Sequence, residues 1–285
     1  MRTTTTPQAT TPAPRRHRSR FGYDHNWWGE AAAPVDVVER RSYWSVTRRP
    51  LPCLVFVAPI LLAYEFGVLW LGGSSAASYY RTGADAWMRQ ALAEVGLTDQ
   101  WFLPFSLLVA LLVWHVVDRR SSKFSLGSLF GMAIESVLFA VALVGLSRVV
   151  DIGFTWLEHP SRLAMAAGPP ESSHPAAPLI GFLGAGVYEE ALFRLALVPL
   201  FFAVLRLLQM PQVLASSIAV TSSALLFSLA HHAGNPGEAF TWFAFIFRWL
   251  AGVYFAWVFV VRGFGIAVGT HSAYDVLVGW IGWHL

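Results

Sequence analysis

The sequence is poor in charge, in cysteine and in lysine. Only 13% of its 285 residues are Asp, Glu, Lys or Arg, about half of the roughly 25% usual for a soluble domain. That shortage excludes a chain disordered throughout, a collagen-like repeat and an ordinary soluble enzyme. The single cysteine, Cys53, excludes a disulfide framework and a cysteine-ligated zinc site. Lys123 is the one lysine among 20 basic residues, and the net charge of +3 is not spread as nucleic-acid binding requires, because the arginines cluster in a tail and in short loops. What is abundant is apolar: 55% hydrophobic residues, 13 tryptophans and a mean hydropathy of +0.51. Such a chain has lipid for much of its solvent.

Residues 1–50 are polar and basic. The Thr/Pro/Arg stretch Met1 to Arg20 has too few apolar residues to bury anything and reads as a disordered tail. Phe21 to Pro50 sets Trp27, Trp28, Tyr43 and Trp44 among charges, as in a segment lying at headgroup level. No apolar run follows within the first 30 residues, so no cleaved signal peptide is expected there. Residues 51–285 form the membrane domain. Seven apolar stretches, at about Leu51–Leu71, Trp101–Val117, Leu129–Val150, Pro178–Phe202 (running on to Leu208), Val213–His232, Phe240–Val261 and Phe264–Leu285, each approach the ~20 residues that cross about 30 Å of hydrocarbon. The expected fold is therefore an all-α polytopic transmembrane bundle of seven or eight spans.

Seven spans divide the basic residues unequally. Nine arginines of the tail, then Arg119, Arg120, Lys123, Arg206 and Arg262, fall on one side, and Arg81, Arg89 and Arg162 on the other. This bias predicts a multi-pass protein of the cell membrane with its N-terminus in the cytoplasm.

Charges inside the spans cost about 2.5–3.5 kcal/mol each at mid-membrane on insertion scales, so each needs a reason. The densest group is Val187-Tyr-Glu-Glu-Ala-Leu-Phe-Arg194. Glu190 and Arg194 stand one helical turn apart and can neutralise each other. Glu189 points about 100° away and must find its partner on another helix, or stay protonated. The same spacing recurs in Phe227-Ser-Leu-Ala-His231, where the ring can wall a pocket for the imidazole, and in His271-Ser-Ala-Tyr-Asp275. If these helices converge, a carboxylate and two imidazoles could activate water by general base catalysis. They could equally bind a divalent metal such as zinc through Glu189, His231 and His271. Glu65, Glu135 and Arg248 are expected in interhelical contacts; Ser222, Ser223 and Ser228 either line the site or, as is commoner, bond backwards to helix carbonyls.

Glu-Glu-x-x-x-Arg, Phe-x-x-x-His and His-x-x-x-Asp, in this order and all in apolar spans, resemble the motifs of the CPBP intramembrane proteases, the Abi or type II CAAX-prenyl-endopeptidase-like family. The resemblance covers residues 179–282. It implies an intramembrane endopeptidase in which Glu189, helped by His231, activates the water. It implies further that His271 and Asp275 steady the oxyanion while Glu190 and Arg194 form an orienting pair. An ionised Asp275 would repel an oxyanion, so it must be protonated, orient a charged His271 or help to bind a cation. The family is described both as metalloproteases and as metal-free glutamate proteases, so no cofactor is assigned beyond that divalent metal. The partners implied are the bilayer and a membrane-embedded or lipid-anchored peptide substrate, and no nucleic acid. Two other functions compete: a non-catalytic scaffold or immunity-type protein, and a proton-coupled transporter. The transporter is disfavoured by the lack of an internal repeat.

Overall fold

The computed structural model describes residues 43–76, 80–118, 124–157, 174–233 and 239–282. The polar tail up to residue 42, the loop holding Arg119, Arg120 and Lys123, and Arg162 lie outside the described residues. Among the described residues there is no strand. The helices are α1 (Tyr43–Thr47), α2 (Pro50–Ala76), α3 (Gly83–Glu94), α4 (Phe102–Asp118), α5 (Leu126–Leu157), α6 (Ala177–Glu190), α7 (Val198–Leu207), α8 (Gln212–His232), α9 (Trp242–Arg262) and α10 (Phe264–Val276). A π-helical stretch, Ala191–Leu197, joins α6 to α7 in one rod, and a π turn, Leu277–Ile281, extends α10. Each of the seven apolar stretches is helical over most of its described residues. Four segments, Pro50–Gly73, Leu126–Trp156, Gln212–His232 and Trp242–Arg262, are long and apolar enough to cross a bilayer by themselves.

The hydrophobic pattern is nearly uniform around α2, α5 and α8, so it does not say which face of each turns inward. Small residues decide that. A Cβ on Gly184 would lie 2.6 Å from Cζ of Tyr64, and one on Gly252 would lie 3.0 Å from Cα of Ala224. Glycine at these positions lets α6 close on α2 and α9 close on α8, the device membrane bundles use where burial against lipid gives little drive. Within the rod, Pro199 lacks the N–H that would bond to the carbonyl of Leu195, and the helical register slips in the turns just before it.

The α9–α10 corner departs from expectation. Arg262, counted above as a loop cation, is fully buried. Its Nε and Nη2 donate to Glu135 of α5, the Nη2 bond to Oε2 at 2.8 Å, and Nη2 also donates to Thr47 Oγ1 at 3.0 Å. Its guanidinium lies 3.8 Å from the Trp44 ring centroid. Gly263, at φ +90°, reverses the chain in a single residue and lies so close to Arg48 that a Cβ would be 3.0 Å from its Cα. The corner thus sits inside the bundle with α1 drawn over it. Tyr43 Oη donates to Glu135 Oε2 at 2.7 Å. Burial, reinforced by this carboxylate, holds the phenol pKa well above its ordinary value near 10. Glu135 therefore has the interhelical role expected of it.

Since α10 starts at this sunken corner, Gly269, five residues along it, meets Ser136, ten residues along α5. The ~1.5 Å rise per residue places the start of α10 about 7.5 Å deeper than that of α5. This depth brings His271 level with Glu189 in the rod and with His231 in the last turn of α8.

Candidate active site

Glu189, His231, His271 and Asp275 come together where α6, α8 and α10 converge. Glu189 Oε2 lies 3.8 Å from His231 Nε2 and 3.7 Å from His271 Nε2, and Asp275 Oδ2 lies 3.6 Å from that same His271 Nε2. These separations exceed hydrogen-bond length. The groups face a common point without saturating one another, and Glu189 Oε2, although buried, accepts no hydrogen bond among the described residues.

Each imidazole is fixed from behind. His231 Nδ1 is 2.8 Å from the Phe227 carbonyl. A carbonyl only accepts, so Nδ1 carries the hydrogen, and a neutral ring then presents the lone pair of Nε2 to Glu189. His271 Nδ1 donates in the same way to Glu190 Oε1 at 2.8 Å. Arg194 Nη1 stands 3.3 Å from that oxygen, the one-turn pair the sequence suggested. Arg194 also donates from Nη2 to the Gly252 carbonyl at 3.2 Å, and its guanidinium lies 4.4 Å from the Phe227 ring centroid.

Aromatic rings close the back of the site. Phe227 contacts His231 edge-on at 4.8 Å between centroids and reaches His271 at 5.9 Å. Phe255 stacks on His271 at 4.4 Å and 15°. The other side is not closed by protein: the side chains of Glu189, His231 and Asp275 are 14%, 23% and 21% exposed.

Phe255 carries no motif signal, and sequence reasoning missed it. It also misassigned two serines. Ser223 Oγ donates to the Phe193 carbonyl at 2.5 Å, and Ser228 Oγ to the Phe245 carbonyl at 2.6 Å, both on other helices. The first of these carbonyls belongs to the π-helical stretch, where the altered ladder leaves an acceptor for a neighbouring helix.

Glu189, His231 and His271 have the donor types of a zinc site. Among the described residues, however, no three His, Cys, Asp or Glu side chains stand together in ligating geometry. Glu65, expected only in an interhelical contact, joins a larger polar network one residue away from the site, described below.

Residues 172–277 match the family model described as type II CAAX prenyl endopeptidase Rce1-like, a stretch holding Glu189, Glu190, Arg194, Phe227, His231, His271 and Asp275. No curated protein and no solved structure matches the chain. Within this multi-pass helical membrane protein, the stretch 172–277 is thus similar to the Rce1-like type II CAAX prenyl endopeptidase family.

Proposed function

We propose that the protein is an intramembrane endopeptidase in which Glu189 and His231 activate water to hydrolyse a peptide bond of a membrane-embedded or lipid-anchored substrate. One observation carries this reading. The Glu189 carboxylate and the lone pair of His231 Nε2 are two acceptors that face each other at 3.8 Å, each anchored on a separate helix. A water between them can give one hydrogen to each.

Glu189 takes a proton as the water oxygen bonds to the substrate carbonyl carbon. The oxyanion that forms accepts from Nε2–H of His271, which Glu190 and Phe255 hold in orientation. Asp275, with Oδ2 3.6 Å from the same Nε2, attracts a charged His271 across a gap longer than a hydrogen bond and so serves His271 rather than contacting the oxyanion. The proton held by Glu189 passes to the leaving nitrogen as the C–N bond breaks, leaving a new amine and a new carboxyl group. Apolar walls raise the worth of each of these charges over its value in water. A divalent cation such as zinc would be held by Glu189, His231 and His271, and when bound it would supply Lewis acidity. Their present spacing is not that of a formed centre, and no step above passes through it.

The unequal arginines support placement in the cell membrane with the N-terminus in the cytoplasm. Because Cys53 is the only cysteine and is buried, single cysteines introduced at loop positions test this cleanly with an impermeant maleimide. The function itself is tested by comparing membrane peptides from cells carrying the wild type with those carrying Glu189→Ala. Peptides cut only in the wild type are expected. Identical peptide sets would overturn the reading and return the protein to a non-catalytic role.

A further inference from the structure

Tyr188, the residue before Glu189, is buried on a different face of α6 and donates its hydroxyl to Glu65 Oε1 of α2. Glu65 is held by two arginines from the far side: Arg89 Nη2 at 3.0 Å on Oε1 and Arg81 Nη1 at 3.2 Å on Oε2. Both arginines also bind Asp85 of α3, at 2.7 Å and 2.6 Å. Asp85 accepts in turn from Tyr64 Oη at 2.8 Å, and the Tyr64 ring meets that of Tyr188 edge-on at 5.5 Å. Two acids and two arginines cancel in formal charge, and both acids are buried. A closed, neutral, hydrogen-bonded set of this kind is what an apolar bundle tolerates. It is also rigid, since α2, α3 and α6 each supply at least one member.

We infer that Tyr188 and Glu65 are positioning residues, which set the rotation of α6 and through it the place of the Glu189 carboxylate. Glu189 Oε2 accepts no hydrogen bond among the described residues and meets the two imidazoles only at 3.7 and 3.8 Å, so the reacting end holds it loosely. The two residues leave the same helix about 100° apart, and the anchor of one therefore fixes the bearing of the other. Glu189's carboxylate lies several ångströms outside the ~2.3 Å Cα radius, so a turn of α6 by about 10° moves it on the order of 1 Å. Errors of that size cost about a hundredfold in rate. The Gly184–Tyr64 approach limits sideways movement of α6, and the Tyr188 hydroxyl adds to the Glu190–His271 bond in restraining its rotation.

The inference rests on Glu189 being the base, and its test separates the two ideas. Full-length wild type and Tyr188→Phe are reconstituted in nanodiscs and treated with dicyclohexylcarbodiimide, which reacts with protonated carboxyl groups in apolar surroundings; labelling of Glu189 is followed by mass spectrometry. Release of Glu189 from the two imidazoles is expected to raise its labelling rate at least threefold, with the melting temperature held near that of the wild type. Cleavage of a wild-type-specific peptide is expected to fall at least tenfold in kcat with KM little changed. A labelling rate less than threefold above the wild type overturns the inference. Increased labelling in a protein whose wild type cuts no peptide overturns the protease reading and leaves the positioning intact. If Tyr188→Phe does not fold, Glu65→Gln, which keeps an acceptor for Tyr188 but weakens its hold on the arginines, decides by the same threefold criterion.

Discussion

Gly186→Ala tests whether the spacing of α6 and α10 sets the rate. A Cβ at residue 186 would fall on Ser272 Oγ, 2.8 Å from the Ser272 backbone nitrogen and 3.0 Å from its Cβ. The hydroxyl can rotate away, but the backbone nitrogen can retreat only with α10. An ordinary contact begins near 3.4 Å, so α10 must recede by about 0.6 Å, carrying the adjacent His271 with it. The 3.7 Å between Glu189 Oε2 and His271 Nε2 then grows by a similar amount. Scaled from a hundredfold per ångström, the loss in kcat is on the order of tenfold, and overpacking costs about 1–3 kcal/mol of stability. Gly181→Ala on the same helix is the control, since nothing lies within 4 Å of its Cβ. It should retain full activity and gain up to about 1 kcal/mol from helix propensity. Ser272→Ala added to Gly186→Ala removes the hydroxyl clash alone and should restore only part of the rate. The assay is cleavage of a Glu189-dependent peptide in proteoliposomes, normalised to folded protein by thermal melting. Wild-type turnover in Gly186→Ala would refute the claim that this separation limits the reaction.

Glu189→Ala and His231→Ala should each abolish cleavage while leaving the melting temperature within a few degrees, and a variant with full activity would remove its residue from the mechanism. Glu190→Gln leaves Arg194 buried beside a neutral amide and exchanges the charged acceptor that anchors His271 for an uncharged one; a loss of about 3–5 kcal/mol by chemical denaturation in detergent is expected. Tyr43, with its pKa raised in the folded state, stabilises fully below its unfolded value near pH 10 and loses that contribution as pH climbs towards the folded value. Melting curves should therefore fall above pH 10 in the wild type, and less steeply in Tyr43→Phe. Dialysis against a chelator should leave cleavage unchanged; a loss reversed only by added zinc would assign the metal to Glu189, His231 and His271.

Length and apolarity alone made the helices legible. The stretch Trp101–Val117 is the helix Phe102–Asp118, and Pro178–Phe202 with its extension is the rod Ala177–Leu207. The motif residues were legible because a period of 3.6 puts Glu190 over Arg194, Phe227 over His231 and His271 over Asp275, and those pairs are local. What was not legible depends on groups far apart in the chain. Helix α3 is short and half polar, and its docking through Arg81 and Arg89 onto Glu65 spans 16 to 24 residues. The stacking of Phe255 on His271 needs the angle between two helices, which no single-helix pattern contains. Arg262 misled the charge count because a cation at the end of an apolar run reads as a boundary marker. Only Glu135, 127 residues earlier, reveals it as an interior residue.

That separation bears on how the chain is made. The corner between α9 and α10 is made well after α1 and α5, and it carries an ionisable side chain into the interior of the bundle. Glu135, Tyr43 and Trp44, which hold Arg262 in the finished structure, all precede it in the chain, so Glu135 is without this guanidinium until α9 is complete.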